Sequence, residues 1–542
     1  MTTLRHIFDV NAGRIVPTRE SRKSVRFPAL SPAAREELLS SFHPDYKAGA
    51  YREIRVGANK GGRTVRELAD LLESDSPLDP GMSLVPDHTT DLLVIGGGGA
   101  GCTAALIAHR LGIRAMIATK LRLGDSNTVM AEGGVQAAVG EEDSPVEHFK
   151  DAVRGGHYKN DRGLLRVLVE DGPEAMLWLC EQGVLFDREP DGRLRVKPGG
   201  GTSRARLLAC EDYTGLDIMR ALKESVVHSG IPVLEYSPAL ELLSDGEGHC
   251  TGAVLRPFGA GEDGRAVVVR AKTVLLAAGG IGRLHFQGFP TSNHFGATGD
   301  ALIMAYRLGS DLVDIDTFQY HPTGVIYPGF LAGALVTEGM RSMGAQLLNS
   351  RGERFIDEME TRDVVSAAII RECHHGRGIS TPSGKCGVWL DAPMIDVTNG
   401  SGTLAARFPN MVRQFTRVEV DISEQAILVY PTLHYQNGGI RIDAMGESAV
   451  PNLFAAGEAA GGIHGRNRLM GNSLLDVVVF GRRAGVAAAR RSREIDHGRL
   501  TLDHVARHRA ALGEAGIAEP LVGPILVPTY ARPKKTGETV NG

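Results

Sequence analysis

The chain has 542 residues, of which 23% are charged, and its formal net charge is −4. This length exceeds what one compact core usually holds, so we expect two or more lobes around a shared cleft. The nearly balanced charge excludes the strong global field by which basic proteins recruit nucleic acid or anionic membranes.

Residues 1–88 have the composition of a polar extension that ends in a Pro-, Asp- and Ser-rich linker at residues 74–86. Within the extension, residues 64–72 (TVRELADLL) carry apolar residues at the spacing of a helix face. Thr64 precedes Glu67 by three residues, which is the pattern of a capping box. The sequence therefore predicts one short helix, capped by Thr64, inside the extension.

A strand, a glycine-rich loop and a helix are predicted next. Residues 91–95 (DLLVI) form a short aliphatic strand, residues 96–101 (GGGGAG) form the loop, and residues 102–111 form an alanine-rich helix. Residues 114–118 (RAMIA) then predict a second, parallel strand. Together these elements indicate the opening βαβ unit of a doubly wound α/β sheet.

The glycine loop has the spacing of a dinucleotide site. Gly96, Gly98 and Gly101 occupy the GxGxxG positions, where small residues let the backbone approach a pyrophosphate at a helix N-terminus. The acid that binds the ribose of NAD at the end of the second strand is replaced by Thr119 and Lys120. The sequence therefore predicts a dinucleotide other than NAD.

Two further strand-then-glycine junctions lie far downstream, at residues 273–280 (TVLLAAGG) and 452–458 (NLFAAGE). A sheet that is interrupted by an inserted lobe explains this spacing. No second complete GxGxxG follows, so we expect a single dinucleotide-binding domain.

The cysteines and histidines do not indicate a metal site. The six cysteines are scattered and form no CxxC pair, which predicts reduced thiols and excludes the usual iron–sulfur spacing. Cys373, His374 and His375 are adjacent, but no matching ligand pair follows at zinc spacing. We interpret this run as a helix that ends in a loop.

No segment reaches the ~18 uninterrupted apolar residues that span a bilayer, and the N-terminus lacks the pattern of a secretory signal. We therefore expect a cytoplasmic protein that meets the inner face of a cell membrane only through a partner.

Eight motifs follow the glycine loop in a fixed order. They are AEGGVQAA (131–138), ATGD (297–300), FQYHPTG (318–324), TEGMR (337–341), GERF (352–355), TRDVVS (361–366), HYQNGGI (434–440) and AAGEAAGGIHGRNRLMGNSLLDVVVFGRRAG (455–485). Over residues 88–490 this series closely resembles the flavoprotein subunit of succinate dehydrogenase and fumarate reductase, a family that includes L-aspartate oxidase. The resemblance implies an α/β fold in which an α+β capping domain is inserted into a discontinuous, Rossmann-like FAD-binding domain.

The resemblance also implies a division of the chain. The expected parts are an N-terminal extension and linker (1–88), the first part of the FAD-binding domain (89–315), the capping domain (316–433), the second part of the FAD-binding domain (434–490) and a short C-terminal tail (491–542).

FAD is the cofactor that the resemblance implies. The residues expected to line it are Gly96, Gly98, Gly99, Ala100, Gly101, Lys120, Ser126, Asn127, Thr128, Gly133, Gly134, Asp300, Glu458, Ser473 and Leu474. Without the resemblance, Gly133 and Gly134 would be interpreted as a turn and Ser473 as a helix cap.

A C4 dicarboxylate is the substrate that the resemblance implies. His434 and Arg468 would bind one carboxylate, and His321 and Thr337 would bind the other. A guanidinium suits this task because it binds a carboxylate with two parallel hydrogen bonds.

The resemblance further identifies Arg362 as the catalytic arginine, which delivers a proton to fumarate as reduced flavin gives a hydride. Glu338 and Arg341 of TEGMR would complete the proton route.

Asn127 departs from the family pattern because it replaces the histidine that links covalently to FAD in succinate dehydrogenases. An amide has no nucleophilic nitrogen suited to that bond, so we expect non-covalent FAD. In the family, this favours fumarate reduction over succinate oxidation. The extension and the short C-terminal region also depart from the pattern, and they put the docking of the usual iron–sulfur partner in doubt.

The sequence therefore predicts a fumarate reductase or succinate dehydrogenase flavoprotein subunit that receives electrons from a separate iron–sulfur subunit. L-aspartate oxidase, which converts L-aspartate to iminoaspartate, is an alternative. A non-catalytic FAD subunit that only relays electrons is a second alternative, although a relay needs no dicarboxylate-binding set.

Overall fold

A computed structural model describes residues 3–258, 265–284 and 286–525. Of the predicted C-terminal tail, residues 526–542 lie outside this part of the chain.

The described residues form sixteen α-helices, which are α1 Leu4–Ile15, α2 Arg19–Lys23, α3 Pro32–Phe42, α4 Arg66–Leu72, α5 Gly99–Arg110, α6 Pro145–Gly155, α7 Arg162–Glu181, α8 Thr214–His228, α9 Asp300–Leu308, α10 Glu338–Ser342, α11 Arg362–His374, α12 Met394–Asn399, α13 Thr403–Arg407, α14 Pro409–Thr416, α15 Asn472–Glu494 and α16 Asp503–Glu514.

They also form eighteen β-strands, which are β1 Tyr51–Glu53, β2 Arg63–Val65, β3 His88–Ile95, β4 Ala115–Ala118, β5 Val135–Gln136, β6 Leu207–Leu208, β7 Val233–Leu234, β8 Ala239–Ser244, β9 Cys250–Leu255, β10 Val267–Leu276, β11 Leu312–Val313, β12 Phe318–Val325, β13 Gln346–Leu348, β14 Ile379–Ser380, β15 Cys386–Asp391, β16 Ile427–Gln436, β17 Gly439–Ile440 and β18 Leu453–Ala455.

The larger sheet has seven strands in the order β7-β4-β3-β10-β9-β8, and β18 also pairs with β10. The strands β7, β4, β3, β10 and β18 are parallel, whereas β9 and β8 join antiparallel. The predicted strand at residues 91–95 is the second half of β3, of which residues 92–95 are buried, and the later predicted strands correspond to β10 and β18. Helices α5 and α15 pack against each other beside this sheet.

The second sheet is antiparallel, with the order β12-β16-β15-β13, and β14 pairs with β15. Its own hydrophobic core includes Trp389, Leu347 and Leu428, and it is separate from the core around β3 and β10. Helix α11 packs on β12, β15 and β16 of this sheet. Because β12 and α11 carry the motifs FQYHPTG and TRDVVS, this packing brings the two motifs together.

The N-terminal extension differs from the prediction. The helix around residue 67 is present as α4, but Thr64 lies in β2 and its hydroxyl donates to the carbonyl oxygen of Ile315 at 2.5 Å, so Thr64 does not cap the helix. Three more α-helices, α1 to α3, precede it. The predicted linker is also anchored, because Ser74 and Ser76 are buried. The extension is therefore folded through tertiary contacts, which its polar composition did not predict.

A buried arginine on α9 holds the residues after α15 to the larger sheet. Arg307 Nη1 lies 2.5 Å from Glu241 Oε2 on β8, and neither side chain is exposed. The same guanidinium donates to Ser74 Oγ and to the carbonyl oxygen of Gly523. One arginine therefore ties the extension and the end of the described chain to the sheet.

Among the helices of the described residues, none combines the length and the apolar character that crossing a bilayer requires.

Candidate active site

A cavity of about 580 Å³ lies at the carboxyl ends of β3, β4 and β10. Helix α5 begins there at Gly99, so the positive end of its dipole and its first N–H groups favour the binding of negative charge at this edge. Gly96 has φ of +119°, and a Cβ atom on it would overlap the carbonyl oxygen of Ala277. A Cβ on Gly101 would in turn overlap the carbonyl oxygen of Gly96. These positions accept only glycine, and the resulting cradle fits a pyrophosphate.

Most of the predicted cofactor residues line this cavity. They are Gly96, Gly98, Gly99, Ala100, Lys120, Ser126, Asn127, Thr128, Asp300, Glu458, Ser473 and Leu474. Gly101, Gly133 and Gly134 are outside this lining and pack beneath it, since Cβ atoms there would meet the Gly96 carbonyl, Met470 and the Leu208 carbonyl, respectively. Ser473 is not a helix cap, because α15 is capped by Gly471.

Lys120 and Asp300 are joined inside the cavity. Lys120 Nζ lies 2.5 Å from Asp300 Oδ2 and donates to Thr298 Oγ1 at 2.7 Å. Thr298 Oγ1 donates to the other oxygen of Asp300 at 2.8 Å. Lys120, just after β4, therefore holds in place a carboxylate from the first residue of α9.

Asn127 connects three segments of the cavity wall. Its Nδ2 donates to Asn293 Oδ1 at 2.7 Å and to Glu458 Oε2 at 3.0 Å. Its Oδ1 accepts from the backbone N–H of His294 at 2.6 Å. Burial raises the pKa of Glu458, and the backbone N–H of Gln436 and the Asn127 amide oppose that rise. Asn127 is thus a structural hydrogen-bonding residue in this wall.

Two arginines converge on one glutamine next to the cavity. Arg362 Nη1 and Arg468 Nη2 both donate to Gln319 Oε1, at 3.0 Å and 2.8 Å. Gln319 Nε2 donates to the carbonyl oxygen of Arg468 at 2.6 Å, which fixes the orientation of the amide. Burial, followed by the charge of Arg362, lowers the pKa of Arg468 to about 9. The cluster concentrates positive charge in a buried place that suits an anionic substrate.

Glu338 partly neutralises this charge. Its Oε2 accepts from Arg362 Nε at 2.7 Å and lies 3.2 Å from Arg341 Nη2. Burial opposes ionisation of Glu338, but the charges of Arg362 and Arg341 hold its pKa below the usual value. Burial lowers the pKa of Arg341, which also donates to the carbonyl oxygen of Glu358. The three side chains form a continuous chain of proton-carrying groups.

Two histidines lie beside the arginines, with ring centroids 5.3 Å apart. His321 lies two residues after Gln319 in β12, so their side chains face the same side, and His434 lies on the neighbouring strand β16. Burial lowers the pKa of both rings well below the usual value, and the charge of Arg362 adds to this effect. Both histidines are therefore neutral hydrogen-bonding groups. His434 Nδ1 lies 2.8 Å from Ser292 Oγ.

Thr337 lies at the N-terminus of α10, where its hydroxyl accepts from the N–H of Gly339 at 3.4 Å. This cap places Glu338 in the first turn of α10 and Arg341 in the next. The predicted substrate residues and the predicted catalytic residues thus meet in one buried cluster. His434 and Tyr435 also line the flavin-sized cavity, so the cluster and the cavity adjoin.

Sequence reasoning missed several residues of this region. Gln319 stands in FQYHPTG, yet its role depends on two arginines that are distant in the chain. Asn293 and His294 follow the strand β10 and were not selected, although both contact Asn127. Tyr435 lies beneath the Arg468 guanidinium, 4.5 Å from ring centroid to Cζ. A polar run between a strand and ATGD was the available signal for Asn293 and His294.

The chain is similar to known FAD-binding proteins over most of its length. The model of a family described as FAD binding domain matches residues 91–474. A fumarate reductase (CoM/CoB) subunit of Methanothermobacter marburgensis is 41% identical over 414 residues, which cover 74% of this chain and 73% of the relative. L-aspartate oxidase of Streptomyces coelicolor is 37% identical over 411 residues, which cover 74% of this chain and 68% of that relative. The mitochondrial succinate dehydrogenase flavoprotein subunit of Oryza sativa subsp. japonica is 36% identical over 431 residues, which cover 73% of this chain and 65% of that relative.

Among solved structures, a variant of FrdA from E. coli quinol fumarate reductase matches with a TM-score of 0.71 and 32% identity. The match covers 79% of this chain and 74% of that chain. The fold is therefore the α/β fold of FAD-binding flavoprotein subunits.

Proposed function

The chain belongs to the FAD-dependent fumarate reductase/succinate dehydrogenase flavoprotein family, and on this premise we propose that it reduces fumarate to succinate. The single observation that carries the substrate class is the buried cluster of Arg362, Arg468 and Gln319 beside the flavin-sized cavity. The direction rests on Asn127, which stands in place of the linking histidine. The cluster supplies the fixed cations that a small dicarboxylate requires when it leaves water.

The cavity and its glycine cradle fit FAD, which supplies a two-electron hydride carrier when bound. Lys120, Asp300 and the N-terminus of α5 would hold the dinucleotide portion, and Asn127 and Glu458 would border the flavin portion. We propose that FAD is held without a covalent bond, because the Asn127 amide lacks a nucleophilic nitrogen and is engaged in three hydrogen bonds.

The substrate carboxylates would complete hydrogen bonds that the protein alone leaves open. His321 Nε2 and Arg468 Nε are buried and have no hydrogen-bond partner within the described structure. Leaving such groups unpaired costs ~1–3 kcal/mol each, so a bound carboxylate at each position offsets that cost. We propose that His434 and Arg468 bind one carboxylate and that His321 and Thr337 bind the other.

Arg362 would then act as the proton donor. Its guanidinium would deliver a proton to one alkene carbon of fumarate while the other carbon accepts a hydride. Glu338 accepts a hydrogen bond from Arg362 and lies next to Arg341, so it would return a proton to Arg362 from the Arg341 side. The two histidines hold the substrate as neutral donors and do not compete for the proton.

Electrons would reach the flavin from a separate iron–sulfur subunit, since the cysteines of this chain lack cluster spacing. The similar proteins of Methanothermobacter marburgensis and Oryza sativa are each named as one subunit of an enzyme. We propose that any contact with the inner face of a membrane is made through such a partner. We also propose that residues 89–315 and 434–490 form the FAD-binding domain, with residues 316–433 as its cap.

L-aspartate oxidase activity is the second candidate, because a relative of that name is 37% identical over 411 residues. A purely electron-relaying flavoprotein is a weaker candidate, since it needs no buried pair of arginines beside its flavin.

A substrate comparison tests the proposal. The purified protein, loaded with FAD, is supplied with fumarate and reduced viologen, and separately with L-aspartate and oxygen. We expect viologen oxidation that depends on fumarate, with succinate as product. Iminoaspartate and peroxide formation, without fumarate turnover, would contradict fumarate reduction and establish the oxidase.

A further inference from the structure

Two cysteines outside the active site lie next to each other. Cys373 is in the last turn of α11, and Cys386 is the first residue of β15. Both Sγ atoms border the position that a Cβ atom on Gly378 would take, and both residues are partly exposed. By contrast, Cys102, Cys210 and Cys250 are buried. Cys373 and Cys386 are therefore a neighbouring pair of partly exposed cysteines.

Gly378 makes the approach of the two sulfurs possible. A Cβ atom at Gly378 would overlap Cys386 Sγ and lie 2.9 Å from Cys373 Sγ. The sulfurs thus share the space that any other residue would fill. Gly378 directly precedes β14, whose pairing of Ser380 with Cys386 fixes this turn against β15. The backbone around Gly378 therefore positions both thiols next to the same glycine.

The two thiols are chemically unequal. Interaction with the Cys373 thiol lowers the pKa of Cys386, whereas interaction with the Cys386 thiol, followed by burial, raises the pKa of Cys373. A thiolate is the nucleophile in thiol–disulfide exchange, so Cys386 is the thiol that attacks first.

We propose that Cys373 and Cys386 are a redox-active dithiol, which a low-molecular-weight disulfide such as oxidised glutathione converts to an intramolecular disulfide. Cys386 attacks one sulfur of the oxidant, forms a mixed disulfide and releases one glutathione thiol. Cys373 then attacks the Cys386 sulfur and releases the second glutathione thiol. The chain loses two electrons and two protons, and the oxidant gains them as two thiols.

The cross-link would join the end of α11 to β15. Arg362 begins the same helix, about 16 Å away at the usual helical rise, so turnover is expected to change little. The closed loop is short, and the expected effect is a rise of a few degrees in unfolding temperature. The inference stands independently of the substrate of the enzyme.

The test treats the full-length, FAD-loaded protein with oxidised glutathione and then alkylates the remaining thiols under denaturing conditions. Peptide mass spectrometry should find a peptide that joins Cys373 to Cys386, with a mass 2 Da below that of the two thiols. Cys180, the other partly exposed cysteine, serves as the internal control and should be alkylated. Unlinked, alkylated Cys373 and Cys386 would overturn the proposal.

Three variants test the role of each cysteine and of Gly378. Cys373→Ser should keep glutathione on Cys386, because the resolving thiol is missing, whereas Cys386→Ser should take up far less. Gly378→Ala should reduce disulfide formation at least tenfold while both cysteines remain. Equal cross-linking in Gly378→Ala, or glutathione stably retained on the unmodified pair, would contradict the proposed dithiol.

Discussion

Gln319 lies between two buried guanidinium groups, those of Arg362 and Arg468. Its amide oxygen accepts from both Arg362 and Arg468, which partly offsets the repulsion between their guanidinium groups. Glu338 supplies the only carboxylate hydrogen-bonded to Arg362 among the described residues. Arg362, the proposed proton donor, is thus oriented by two residues of different chemistry, one neutral and one charged.

Gly200 offers a test of Glu338 that leaves Glu338 itself unchanged. A Cβ atom at Gly200 would overlap Glu338 Oε1, so Gly200→Ala should push the carboxylate away from Arg362. We expect kcat for fumarate to fall about tenfold or more, because proton return to Arg362 is impaired, with KM changed little. Steady-state kinetics measure both. Gly49→Ala, at a glycine with open space around its Cα, is the matched control; equal kcat in both variants would refute the role of Glu338.

Asn127→Ala should weaken flavin binding. The substitution removes hydrogen bonds to Asn293, Glu458 and the His294 backbone, and we expect the dissociation constant of FAD to rise about tenfold. Fluorescence titration of the apoprotein measures this constant. In the unmodified protein, acid precipitation should leave all flavin in the supernatant, and flavin in the pellet would show a covalent bond.

The role of a site residue could be predicted from sequence where the residue stands in a local motif. It could not be predicted where the role depends on partners that are distant in the chain. Arg362, His434 and Arg468 stand in recognisable motifs, and they do meet in one cluster. Gln319 could not be selected from sequence, since an amide in a strand is ordinary until two arginines from elsewhere are placed beside it.

At the scale of elements, the loop after α6 is joined to the helix that carries Arg362. His157 Nε2 lies 2.8 Å from Asp363 Oδ2 in the first turn of α11. Hydrogen bonding to Asp363 raises the pKa of His157 despite burial, and the pKa of Asp363 is about 2, since burial is outweighed by the hydrogen bond and the charge of His157. This pair bridges α11 to the loop after α6.

The stability from this pair depends on pH. Because the folded pKa of His157 lies above its unfolded value of about 6.5, the contribution is complete below that pH and disappears as pH rises through the raised pKa. Asp363 stays ionised throughout this range. We expect His157→Gln to lower the unfolding temperature at about pH 6 and to match the unmodified protein at about pH 9. Differential scanning fluorimetry at both pH values measures this; a constant difference would contradict the ion pair.

The helix around Glu67 shows why a local signal fails. The pattern Thr64 to Glu67 predicts a capping box, but the Thr64 hydroxyl donates to Ile315, 251 positions away in the chain. The helix itself was predictable from apolar spacing, and Leu68, Leu71 and Leu72 are buried. The spacing of apolar residues predicts which face of a helix is buried. Whether a threonine caps the helix depends instead on which acceptor or donor its hydroxyl contacts in the folded chain.

At the scale of the whole molecule, the N-terminal extension contacts both the second sheet and the strand β11. Arg19 and Arg22 bind Asp391 on β15, at 2.8 Å and 2.6 Å. Farther along, the side chain of Asn59 donates to and accepts from the backbone of Leu312. The polar composition of the extension did not reveal these contacts, because its arginines pair with a carboxylate that is buried in the other sheet.

Asp391→Asn should release the extension. The substitution leaves two partly buried guanidinium groups without their shared charge, and breaking such a buried pair costs ~3–5 kcal/mol. We expect proteolytic cleavage before residue 60 to accelerate several-fold, as measured by limited proteolysis and mass spectrometry. Asp70→Asn, which breaks a half-exposed pair with Arg52, is the control and should change cleavage little. Identical cleavage in the two variants would exclude anchoring by Asp391.

The most direct measurement compares fumarate reduction by the FAD-loaded protein and by its Arg362→Gln variant, with reduced viologen as the electron donor. Arg371→Gln, on the same helix but away from the cluster, is the matched control. The proposed proton transfer predicts that Arg362→Gln keeps its FAD and loses activity by about 10²-fold to 10⁴-fold, while the control stays active. Fumarate turnover within a few-fold of the unmodified protein in Arg362→Gln would contradict the proposed mechanism.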